Sequence, residues 1–155
     1  MQSNSDYDLD INMMSRVLEL ARTAEQEGEV PVGAVIALDN EIVGEGWNRP
    51  VASNDPTAHA EINAIRAAAA RIGNYRLPGA VLYVSLEPCV MCAGAIIHAR
   101  LARVVYGAAD ARAGAAGSVF DVLGTDRLNH KVEVTSGVLE TECAAILQAF
   151  FRRKR

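Results

Sequence analysis

Two short segments hold residue types that could do chemistry together: His59-Ala60-Glu61 and Pro88-Cys89-Val90-Met91-Cys92. Cys89 and Cys92 are three apart, so on a helix both sulfurs share one face and can grip one ion. A helix N-terminus favours negative charge and so favours the thiolate, the form that binds metal. His59 can add an imidazole from a second helix. Two thiolates and one imidazole are a natural set for zinc. By itself a Cys-x-x-Cys is often a redox pair or a coincidence, and a lone histidine is more often a core or surface residue. Together, both at helix starts that follow loops or strands, the segments are far more specific.

The remaining donors decide what kind of zinc this is. A structural site closes with four protein ligands, while a catalytic site keeps one position open. His98 lies two helical turns beyond Cys89 and is too far along the axis. Cys143 reads as a small buried hydrophobe on the last helix. His130 lies in a loop and stays open as a fourth ligand. Three ligands plus water is the better reading, so the expected cofactor is one catalytic Zn2+ per chain. Zinc can lower the pKa of a bound water from about 15.7 toward about 7. Glu61, two residues from His59, is placed to shuttle the proton. Its bland alternative is a solvated glutamate in a first helical turn.

Elements must hold these groups. Ile11, Met14, Leu18 and Ala21 have helical spacing and make a first amphipathic helix. Val32–Leu38 and Glu41–Glu45 flank the turn-like pair Asp39-Asn40 and predict a hairpin. Asp55-Pro56-Thr57 predicts a helix start, with Asp55 as cap and the helix running from Thr57 to Arg71 over buried Ile62, Ile65 and Ala69. Val81–Leu86 reads as a buried strand, and Pro88 opens a helix through His98. Arg103–Tyr106 and Val132–Ser136 read as further strands. A last helix from Glu140 presents Ala144, Leu147 and Phe151. Residues 107–130 read as loops with a short helical piece at Val119–Leu123. This order suggests one sheet covered by helices on both faces.

The chain has 155 residues, half of them hydrophobic, 22% charged and 5% aromatic. That is enough for one domain over residues 1–155 with an aliphatic core, and it excludes a coiled coil or collagen. No apolar run spans a bilayer, so no membrane association is expected. The start is polar and acidic, without the basic and apolar regions of a secretory signal. Three cysteines cannot all pair within one chain. The reading is cytoplasmic. The net charge of −4 is uneven: residues 1–45 carry ten acidic and two basic side chains, and the chain ends Arg152-Arg153-Lys154-Arg155. That leaves a patch-based nucleic-acid contact open.

His-Ala-Glu followed by Pro-Cys-x-x-Cys resembles the zinc nucleoside and nucleobase deaminases. The likeness extends through Glu29-Val30-Pro31-Val32-Gly33-Ala34-Val35, Gly44-Glu45-Gly46-Trp47-Asn48-Arg49-Pro50, Leu86-Glu87-Pro88-Cys89-Val90-Met91-Cys92-Ala93-Gly94-Ala95 and Gly114-Ala115-Ala116-Gly117-Ser118. These segments look like the bacterial tRNA-specific adenosine deaminase family. The resemblance implies a cytidine-deaminase-like α/β fold, a three-layer α/β/α arrangement around a mixed five-stranded sheet. It implies hydrolysis of adenosine to inosine at the wobble position of a tRNA anticodon loop, by a homodimer. It implies that His59, Cys89 and Cys92 hold zinc, that Glu61 moves protons, and that Asn48, Val30 and Pro31 contact the target nucleoside. Asn129, Phe151 and Arg155 match positions that contact flanking RNA. Two rivals stay open: a deaminase of a free cytosine or guanine compound, and a zinc-stapled RNA-binding module with four ligands and no use for Glu61. Trp47 reads as a packed aromatic.

Overall fold

The computed structural model describes residues 4–154. A long helix, α1 (Asn4–Gln26), precedes the hairpin strands β1 (Gly33–Leu38) and β2 (Glu41–Trp47). Asp39 and Asn40 both take positive φ, 52° and 64°, so the turn twists in the sense the strands require. A short helix α2 (Pro50–Ser53) and helix α3 (Ala60–Ile72) follow, then β3 (Val81–Leu86), α4 (Val90–His98), β4 (Arg103–Ala108), β5 (Glu133–Thr135) and α5 (Glu140–Arg153).

The strands form one mixed five-stranded sheet in the order β2-β1-β3-β4-β5. β1 pairs antiparallel with β2 and β3, while β4 runs parallel to β3 and β5. Alternation along the strands sends Ala34, Ile36, Leu82, Val84 and Val104 to one face, packed with α3 and α4. Val35, Ala37, Tyr83 and Val105 face the other way, against α1 and Cys143 of α5. The three-layer α/β/α architecture implied by the resemblance is the one observed.

Four local expectations are corrected. Helix α3 starts at Ala60, not Thr57, because Asp55 spends its carboxylate on the Thr57 amide and hydroxyl, at 2.9 and 2.7 Å, and forms a turn instead of a cap. The face of α3 that packs on the sheet is Ala60, Ala64 and Ala68, while Ile62, Ile65 and Ala69 are only partly buried. Gly44 and Gly46 explain this, since a Cβ on Gly46 would lie 2.4 Å from the Ala60 carbonyl oxygen. Helix and strand approach so closely that only alanine fits between them. Residues 107–130 contain no helix: β4 extends to Ala108, and a bridge pairs Ala116 with Asp121. In α5 the buried ring is Phe150, and Phe151 is exposed.

The close approach makes a test. Gly46→Ala is expected to destabilise the fold by about 1–3 kcal/mol, as overpacking does. Chemical denaturation measures it, and an unchanged midpoint would contradict the packing described.

The acidic first helix also supplies a buried group. Asp10, 1% exposed, accepts two hydrogen bonds from Arg103, at 3.0 and 2.8 Å, and one from the Tyr83 hydroxyl at 3.1 Å. This ties α1 to β3 and β4, and burial helps push the Tyr83 phenol up to about 12. Among the described residues, no helix is long and apolar enough to cross a membrane.

Candidate metal centre and nucleoside cavity

Both chemical segments sit at the junction where a preceding loop enters a helix. His59 is the extended N-cap residue of α3, and Cys89 is the extended N-cap residue of α4. The sheet brings these two starts together, because α3 follows the β1–β2 hairpin and α4 follows the adjacent β3. His59 Nδ1 lies 3.6 Å from each of the Cys89 and Cys92 sulfurs. Zinc bonds of about 2.3 Å to sulfur and 2.0 Å to nitrogen, at a tetrahedral angle, put those atoms about 3.6 Å apart. The donor set and its spacing fit one zinc ion.

Among the described residues, His59, Cys89 and Cys92 form the one group of three metal-capable side chains whose ligand atoms all lie within 4.8 Å of each other. His130 is engaged elsewhere, its Nε2 2.7 Å from the Leu101 carbonyl. Cys143 is buried, and burial pushes its thiol up to about 12, as suits a packing residue. The arrangement therefore has three protein donors and room for a fourth partner, the pattern of catalytic zinc.

Electrostatics agree with that chemistry. A hydrogen bond with Cys92, helped by His59, lowers the Cys89 thiol to about 3, so Cys89 is a thiolate. Cys92, hydrogen-bonded to Cys89 and buried, is shifted the other way and keeps the shared proton. The hydrogen bond that the His59 ring donates to the Cys89 thiolate raises the imidazole above its ordinary value. Glu61 is 4% exposed, which disposes of the solvated-glutamate reading. Burial raises its carboxyl to about 7. A group poised there can both take and give a proton at neutral pH.

A cavity of about 220 Å3 opens beside these groups, lined by Val30, Val32, Asn48, His59, Glu61, Leu86, Glu87, Cys89, Asp110 and Ala113. Asn48 is buried, and its side-chain nitrogen donates to the Val30 carbonyl at 3.3 Å, which fixes its amide. Val30 lines the cavity. Pro31 is buried and is not among the lining residues; Val32 takes that place. Trp47 is partnered rather than free: its indole donates to Glu27 at 3.0 Å, and Arg49 stacks 5.6 Å from its ring centre.

The expected RNA contacts are scattered. Phe151 lines a wider groove of about 700 Å3 that shares Val30, Leu86 and Asp110 with the cavity and adds Arg112, Leu147 and Lys154. The basic tail is helical through Arg153, which pairs with Glu25 at 2.6 Å. Asn129 is exposed in the loop before β5 and lines neither space. Arg155 lies outside the described residues. Sequence reasoning missed Val32, Asp110, Ala113 and Glu87 at the cavity. Only their neighbourhood to motif residues could have pointed to them.

Comparison with known proteins agrees with this geometry. The cytidine and deoxycytidylate deaminase zinc-binding region matches residues 8–108. A tRNA-specific adenosine deaminase of Haemophilus influenzae is 53% identical over 149 residues, covering 96% of this chain and 86% of that protein. One from Bacillus subtilis is 45% identical over 142 residues, covering 92% and 88%. A solved structure from a study of A-to-I editing by tRNA:A34 deaminases superimposes with a TM-score of 0.85 at 46% identity, covering 88% of this chain and 99% of that one. A guanine deaminase from Nitrosomonas europaea has the same fold at lower likeness, with a TM-score of 0.75 and 28% identity over 90% of this chain and 83% of that one. With a zinc-competent triad at the meeting of α3 and α4, and identity of this extent along nearly its whole length, the chain belongs to the tRNA-specific adenosine deaminase family of zinc-dependent deaminases.

Proposed function

We propose that this chain hydrolyses adenosine to inosine at the wobble position of a tRNA anticodon. The observation that carries the reading is the pairing of a cavity lined by His59, Cys89 and Glu61 with a wider groove beside it. A deaminase of free nucleosides needs the cavity alone. A groove with an exposed aromatic, Phe151, and the cations Arg112 and Lys154 suits the splayed nucleotides and phosphates on either side of a flipped base. The rival deaminase of free guanine or cytosine compounds has less support, since the guanine deaminase likeness is 28% identity against 45–53% for the tRNA enzymes.

His59, Cys89 and Cys92 hold the zinc in this reading. When bound, zinc acts as a Lewis acid that makes water a nucleophile at neutral pH. Asn48, which can both donate and accept, orients the nucleoside against the Val30 and Val32 wall. Glu61 takes the proton that water gives up as its oxygen bonds to C6. It passes that proton to the adjacent ring nitrogen and then assists protonation of the departing amine. Water enters, ammonia leaves, and the purine keeps its oxygen at C6. The buried surroundings of Glu61 keep competing water away from the transfers.

The working unit is a homodimer in this reading. Val51, Val90, Val119 and Phe120 are between 45% and 77% exposed, and all lie on segments that flank the site. Apolar surface of that kind suits a second copy. Sedimentation at micromolar concentration is expected to give one species of twice the chain mass, and a lone monomer would contradict it. A tRNA substrate and free cysteines fit a cytoplasmic location. Incubation with an anticodon stem-loop tests the activity itself.

A further inference from the structure

Glu87 is a buried carboxylate beside the cavity that the proton chemistry does not use. It is 2% exposed and stands between the end of β3 and the zinc-holding start of α4. Its oxygens accept hydrogen bonds from the amides of Asp110 at 3.0 Å, Ala116 at 2.9 Å and Ser118 at 3.1 Å, and from the Ser118 hydroxyl. The backbone joins in: the Glu87 amide donates to the Ala108 carbonyl at 2.9 Å, and the Ala115 amide donates to the Pro88 carbonyl at 2.8 Å. Gly114 passes so near that a Cβ there would lie 2.4 Å from the Glu87 carboxyl carbon. The segment 110–118 is therefore wrapped around one side chain. The segment has no helix, and its own bonds are local, Gly114 to the Asp110 carbonyl and Arg112 and Ala113 to the Asp110 carboxylate, so Glu87 is the side chain that ties it to the β3–α4 turn.

That segment is also a wall. Asp110 and Ala113 line the nucleoside cavity, and Asp110 and Arg112 line the neighbouring groove. The zinc donors and Glu61, by contrast, are set by α3 and α4. We propose that Glu87 is a positioning residue for substrate: it locks the 110–118 loop onto the zinc-holding turn and so shapes both the nucleoside cavity and the groove for the flanking nucleotides. The proposal rests on the deaminase reading above. Four donors converge on two oxygens, so only a carboxylate serves. A glutamine would turn a donor toward backbone N–H groups, and an aspartate would fall one methylene short.

The test uses the zinc-loaded 155-residue chain and the variants Glu87→Gln and Ser118→Ala, assayed on an anticodon stem-loop well below each variant's melting temperature. Glu87→Gln is expected to raise KM about tenfold or more while kcat stays within about threefold, the pattern of lost substrate binding. Zinc content stays that of the parent. Ser118→Ala, which removes one donor, shifts KM in the same direction by less. Amide hydrogen exchange read on the same samples must quicken at Asp110, Ala116 and Ser118 in Glu87→Gln. A purely structural role would lower the melting temperature and leave KM alone, and faster exchange with an unchanged KM overturns the proposal. Should Glu87→Gln not fold, an unchanged KM in Ser118→Ala overturns it equally. A parent chain inactive on the stem-loop sinks the deaminase reading instead. The loop anchor then stands or falls on exchange alone, with unchanged protection in Glu87→Gln sinking it.

Discussion

Replacing Glu61 by glutamine is expected to leave a folded, zinc-loaded chain whose kcat falls by about 10²–10⁴-fold, the usual worth of a positioned proton transfer. Glutamine has the size and the hydrogen-bonding reach of the original side chain, but it cannot take or return a proton. The fold should not suffer. Burial raises the Glu61 carboxyl from 4.5 to about 7. A folded-state pKa above the unfolded one means that the group favours folding fully below about pH 4.5 and loses that contribution as pH rises through 7. At pH 8 the parent carries a buried charge that opposes folding, and the glutamine variant does not. The variant should therefore melt no lower than the parent once zinc has been removed from both by chelation. Stem-loop kinetics, elemental zinc and thermal melts check the three parts. Activity within a few-fold of the parent would remove Glu61 from the proton path.

The second large effect is on the metal. Cys89→Ala removes one of three donors and, with it, the thiolate that both Cys92 and His59 lean on. An open zinc site has no spare ligand to recruit. His130 is committed to the Leu101 carbonyl, and Cys143 is buried among core residues. The expected result is a chain that retains only a small fraction of one zinc per chain and has no measurable deamination. The sheet and its flanking layers persist, because the core is aliphatic and independent of the site. Stoichiometric zinc in the purified variant would show that the triad is misassigned.

The groups proposed for the chemistry stand out in the sequence because each segment's pattern is local. His59 and Glu61 lie two residues apart at one helix start, and Cys89 and Cys92 three apart at another. The strands were legible for the same reason, each being a short apolar run bounded by turn residues. What failed depended on distant partners. Asp55 resembles a helix cap, yet it bonds Thr57, and the helix begins three residues later. The buried face of α3 is alanine because Gly44 and Gly46, on another element, draw the helix in. Nothing in the pattern of α3 itself says so. The 107–130 region has no periodicity to read, and its 110–118 part is held by a carboxylate 23 to 31 residues away. Phe150 and Phe151 are adjacent, and which ring turns inward is decided by the layer it meets.

The most direct test of the central claim offers the parent chain an anticodon stem-loop with adenosine at the wobble position, and separately free adenosine, cytidine and guanine. All deaminated products are scored. The account predicts inosine at the wobble position of the stem-loop and little or no turnover of the free compounds, because the groove beside the cavity supplies binding that only the flanking nucleotides can use. Rapid deamination of free cytidine or guanine, with the stem-loop adenosine left intact, would contradict it.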